Sequence, residues 1–137
     1  MARYTAIIDG ETGAYGVVFP DLPGCTAMGA TLDAAITNAA AAMRDWADVT
    51  LEQGGKIPQP RSLETLRTDA EVIEALREGG SLASVPLVRE TGRPAKANLS
   101  IDAGILSAID SEATRRKLTR SAFIELMAKH ALPELAN

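Results

Sequence analysis

Cysteine and histidine occur once each, as Cys25 and His130, and aromatic residues make up only 4% of the chain. A single cysteine excludes an intrachain disulfide framework and suits a reducing compartment. The one histidine lies more than a hundred residues from the one thiol. A Cys–His nucleophile therefore has no support, because a reactive thiol needs a base or cation beside it; Cys25 reads as a small buried apolar residue. No apolar run approaches the roughly 18 residues a membrane span needs. The opening MARYTAIIDGE meets two acids before any apolar core develops, so no secretory leader is expected. Gly54-Gly55 and Gly79-Gly80 lack phosphate-loop spacing and read as helix stops. The expectation is a cytoplasmic protein without cofactor, metal site or membrane contact.

What is present is an ordinary globular balance, 46% hydrophobic and 23% charged over 137 residues. With few aromatics, the cores must be built from Ala, Val, Ile and Leu. The net charge of −4 is unevenly spread. Residues 1–92 hold seven Lys/Arg against thirteen Asp/Glu, whereas residues 93–137 hold seven against five. An acidic module attracts a basic protein; a mildly basic one can approach phosphates.

RYTAIIDGETGAYGVVFPDL reads as a β-hairpin, with Tyr4, Ala6 and Ile8 on one face and Tyr15, Val17 and Phe19 on the return strand. Pro20 and Pro23 end it, since neither donates a ladder hydrogen bond. A short third strand around TAMG follows. Thr31 is an N-cap and Asp33 complements the dipole of an amphipathic helix over about 32–52. Thr68 and Glu71 form a capping box for a second helix, stopped by Gly79. SLASVPLV is a further strand, placed on a sheet edge by Pro86. The class is α+β, with helices on a small sheet. The polar stretch RETGRPAK marks a boundary, giving domains of 1–90 and 96–137 joined by a linker at 91–95.

The tail reads strand, helix, helix. Ala97, Leu99 and Ile101 alternate with Lys96, Asn98 and Ser100; Asp102 caps one helix and Thr119 another that ends before Pro133. So short a unit buries little surface alone. A homodimer, in which two KANLSI segments pair over four interlocked helices, solves this and leaves Lys96, Asn98 and Ser100 outward.

NLSIDAGILSAIDSEATRRKLTRSAFIELMAKHAL resembles a ribbon-helix-helix DNA-binding domain. The resemblance implies that the ribbon enters the major groove of operator DNA, with Lys96, Asn98 and Ser100 reading base edges. It also implies that Thr119, Arg120 and Ser121 clamp a phosphate at a helix N-terminus. A bare dimerisation module with a solvated strand face is the plainer reading of the same alternation.

YTAIIDGETGAYGVVFPDLPGCTAMGATLDAAITNA is similar to the HicB-type antitoxins, with their strand ending in FPDLPGC and helix opening L-x-x-A-x-x-N-A. That likeness implies a partial RNase H-like N-terminal domain. RNase H chemistry needs converging carboxylates on metal ions, and Asp9, Glu11 and Asp21 do not form such a cluster by spacing, so the fold is read as inactive. Asp21, between two prolines, reads as a turn-fixing residue. The implied partner is a small basic HicA-type toxin that cleaves mRNA. Asp33, Asp45, Asp48 and Glu52 are the candidate contacts, and the implied assembly is a homodimer or a tetramer of paired dimers on the operator. Two other readings stay open: a stand-alone ribbon-helix-helix regulator with a ligand-sensing N-terminal domain, and a metal-dependent nuclease using Asp9.

Overall fold

The computed structural model describes residues 1–135. It divides into two compact units, one of Met1–Arg89 that also takes in residues 133–135, the other of Glu90–Leu132.

In the first unit, β1 (Arg3–Glu11) and β2 (Ala14–Val18) form the expected hairpin. β3 (Thr26–Gly29) lies beside β2, and β4 (Ser81–Pro86) pairs with the other side of β1. Every pairing is antiparallel and the order is β3-β2-β1-β4, so β4 is an edge strand, as its proline requires. The fold is mixed α+β. Thr31 caps α1 (Leu32–Glu52) by accepting from the Ala34 N–H at 3.1 Å.

α1 buries its alanine-rich stripe on one sheet face. Ala35, Ile36, Ala39, Ala40 and Met43 pack against Tyr4, Ala6, Ile8, Val17 and Phe19. Small side chains let the helix lie close: a Cβ at Gly29 would stand 2.3 Å from the Ala35 nitrogen. Met43 is fully buried at the centre, where truncation to alanine costs about 2–5 kcal/mol.

The other face carries α2 (Leu63–Leu66) and α3 (Ala70–Arg77), where Ile7, Leu66 and Val72 form a smaller core. The single turn of α2 has no periodicity to announce it. The capping box at Thr68 is not the one used. Asp69 is the N-cap of α3, accepting from Glu71 and Val72, whereas Thr68 turns its hydroxyl back onto the Thr65 carbonyl at 2.7 Å. The carboxylate takes two of the helix's orphan donors; the hydroxyl of Thr68 closes the preceding turn instead.

The second unit holds α4 (Ala103–Arg115) and most of α5 (Arg120–Leu135), as far as Leu132. Asp102 caps α4, accepting from Gly104 and Ile105 at 2.9 and 3.1 Å. Thr119 Oγ1 accepts from Ala122 at 3.1 Å at the start of α5. Ala113 of α4 and Phe123 of α5 are the buried residues of this unit. α5 runs past Pro133 to Leu135, beyond its expected end. A proline's fixed φ is compatible with helix; what it loses is one donor. Residues 96–101 form no strand in the single chain, where no ladder partner is offered to them.

Candidate functional site

The FPDLPGC segment turns the chain from β2 into β3. Phe19, Leu22 and Cys25 point inward, and the Phe19 and Leu22 carbonyls accept from the N–H groups of Leu22 and Cys25. Burial pushes the Cys25 thiol up to about 11, so it stays a neutral apolar filler. Asp21 is 8% exposed and accepts twice from Arg61, from Nε at 2.5 Å and from the backbone N–H at 2.9 Å. Arg61 Nη1 also reaches Asp69 at 3.0 Å, the largest single cause, ahead of either helix-capping bond, of its lowered pKa. Two more bonds pin the region: Tyr4 to the Pro58 carbonyl at 2.6 Å and Trp46 to the Pro23 carbonyl at 3.0 Å. Burial, reinforced by the charge on Asp21, raises the Tyr4 phenol.

Trp46, held this way, floors a shallow furrow of about 420 Å³ between the second half of α1 and residues 24–26. Asp45 and Val49 line it, and Val49 is 48% exposed. Asp45, Asp48 and Glu52 stand three and four residues apart, so they form one acidic stripe along α1. Asp48 already holds a cation, the Arg89 guanidinium at 3.3 Å. Asp33 is exposed at the opposite end of the helix. Among the described residues no group of three or more His, Cys, Asp or Glu could hold a metal ion.

In the second unit, the α4–α5 turn is crowded with cations. Glu112 is clasped by Arg115 and Arg116, whose hydrogen bonds lower it to about 2. Arg120 makes a fork to Asp110 at 2.8 and 2.9 Å. Arg116 also lies over the Phe123 ring at 5.7 Å. A second hollow of about 500 Å³ is bordered by Ala97, Asn98, Leu99, Leu106 and Ile124. Leu99 is 65% exposed and Ile105 59%, so in a single chain this unit leaves apolar side chains in water.

The family model for HicB_like antitoxins of bacterial toxin–antitoxin systems matches residues 4–128, nearly the whole chain and both units. The chain belongs to the HicB-like antitoxin family. The crystal structure of the Burkholderia pseudomallei antitoxin HicB is similar at 29% identity and a TM-score of 0.55, covering 96% of this chain and 99% of that one. A HicA3 and HicB3 toxin–antitoxin complex is similar at 25% identity and a TM-score of 0.52, over 64% of this chain and 98% of that one. An uncharacterised 14.9 kDa protein from the rep-hol intergenic region of Haemophilus phage HP1 (strain HP1c1) is 28% identical over 131 residues, 94% of this chain and 96% of that protein.

In this HicB-like chain, Asp45, Asp48 and Glu52 come together and Asp33 stands apart. Lys96, Asn98 and Ser100 are all exposed, as is Ser121. Thr119 is spent on its own cap and Arg120 on Asp110. The asparagine of the L-x-x-A-x-x-N-A motif, Asn38, donates to the Met28 carbonyl at 2.8 Å and so satisfies an acceptor of β3, an edge strand. Sequence reasoning missed Arg61 and the Arg115–Arg116 pair. The adjacent RRK run was the signal that could have found the last of these.

Proposed function

We propose that this chain neutralises a HicA-type toxin by protein–protein binding and represses its own operon by binding DNA. The match of the family model across both units carries the reading, and the related HicA3–HicB3 complex supplies the partner class. The acidic unit of residues 1–90, a partial RNase H-like domain retained for binding, attracts a toxin that must itself be basic to hold RNA. It performs no catalysis: Asp21 is committed to Arg61 and Asp9 lies exposed at the end of β1.

Beyond a linker at 91–95, residues 96–137 act as a ribbon-helix-helix dimer. Pairing two copies of residues 96–101 supplies the missing ladder partner and covers Leu99 and Ile105. Lys96, Asn98 and Ser100 then face base edges, while Thr119, Arg120 and Ser121 approach a phosphate. Two such dimers on a two-fold operator make the tetramer. The setting is cytoplasmic; no helix among the described residues is long and apolar enough to cross a membrane.

Co-expression of the tagged chain with the product of the adjacent reading frame tests this. Retention of a small basic protein supports the antitoxin reading, and its absence from the purified chain contradicts it.

A further inference from the structure

We propose that the furrow floored by Trp46 is where the partner protein sits. It takes a positively charged segment whose aliphatic side chain lies on Trp46 and Val49 and whose cations meet Asp45 and Glu52. The proposal rests on the antitoxin reading and adds the location.

Three observations converge there. The first is shape with a rigid floor: Trp46 cannot swing out without losing its bond to the Pro23 carbonyl, so its apolar surface is already in place before binding. The second is composition. An aromatic ring beside a half-exposed valine, with the Asp45 carboxylate in the lining and the acidic stripe continuing along α1, is the arrangement of an anchor pocket with a charged edge. The third is the chain's own behaviour: Arg89 lays a guanidinium on Asp48, so the stripe accepts this chemistry.

The exposed apolar patches on α3 and on β2–β3 lack this combination. Ile73 and Leu76 on α3 stand among charges of both signs, with Glu74 already paired to Arg77. Met28 and Val18 project from neighbouring sheet strands without an acidic stripe beside them. Asp33 lies too far along α1 to share the contact.

The test measures affinity of the full chain for its copurified toxin by calorimetry. Asp45→Lys with Val49→Lys should weaken binding at least about 100-fold, because it inverts charge and fills the anchor. Ile73→Lys with Glu74→Lys on α3 should stay within about threefold. The milder pair Asp45→Asn and Val49→Ser guards against misfolding and should lose about tenfold, with circular dichroism unchanged. Binding by both furrow variants within about threefold of the unaltered chain overturns the location while leaving the antitoxin reading intact. An unaltered chain that binds no toxin takes down both.

Discussion

Asp21 and Arg61 lie 40 residues apart and meet through two bonds, one to the guanidinium and one to the Arg61 backbone N–H. The contact ties the β2–β3 corner to the segment that leads into α2, and Arg61 passes the link to Asp69 at the head of α3. The α2–α3 layer is thereby indexed to the corner to which the Trp46–Pro23 bond ties α1. Replacing Asp21 with alanine leaves two donors without their acceptor, and should destabilise the first unit by about 2 kcal/mol. Urea denaturation followed by Trp46 fluorescence reads this directly. An unchanged midpoint would mean the corner is held by packing alone.

Three helices end on the same pair of bonds, with the last turn's carbonyls accepting from two residues beyond it. At α1 and α3 the left-handed residue is Gly54 or Gly79; at α4 it is Lys117, at φ +58. A side chain there carries a steric penalty that glycine avoids. Lys117→Gly should therefore stabilise the second unit by about 1 kcal/mol, seen as a raised thermal midpoint at fixed protein concentration. A lowered midpoint would show that the lysine side chain makes a compensating contact.

Acid should loosen the second unit first through Glu112. Its folded pKa of about 2 lies below the ordinary 4.5 because Arg115 and Arg116 hydrogen-bond the charged form. A depressed carboxylate stabilises the fold above its unfolded pKa, and that stability is lost as pH falls toward the folded value. Asp110, lowered by Arg120, acts in the same direction. Thermal midpoints should fall between about pH 4.5 and 2, and Glu112→Gln should flatten the slope.

Much of the first unit is legible in the sequence, for local reasons. Alternation in Tyr4–Ile8 and the three-to-four spacing from Leu32 onward are short-range patterns, and the core follows them. What the sequence hides depends on partners distant along the chain or outside it. Nothing near Asp21 announces Arg61, and nothing within α2 marks one turn as helical. Thr68 yields the cap to Asp69 because its hydroxyl closes the unannounced turn of α2, on the Thr65 carbonyl. The 96–101 alternation is visible in sequence, yet its ladder needs a second molecule. In the candidate sites, the acidic stripe is readable as helix periodicity, whereas Trp46 as a fixed floor requires knowing where Pro23 lies.

Operator recognition should separate from toxin binding. Lys96→Ala with Asn98→Ala is expected to weaken DNA binding by at least about 30-fold, since two base contacts at roughly 1–3 kcal/mol each are lost. Toxin affinity should stay constant. Fluorescence anisotropy on promoter DNA, run beside calorimetry with the toxin, distinguishes the two; parallel losses would refute separate modules.

Arg89 should act as a weak internal competitor at Asp48. Arg89→Ala is predicted to tighten toxin binding by up to about fivefold, the ceiling for an exposed ion pair, and the gain should fade in high salt. No change at low salt would place Asp48 outside the contact.

A neutralisation titration probes the whole account most directly. Purified toxin is mixed with RNA and increasing amounts of the full chain, and cleavage is followed over time. Cleavage should fall linearly and stop once antitoxin sites equal toxin molecules. Undiminished cleavage in the presence of excess folded chain would contradict the assignment of this protein as the toxin's inhibitor.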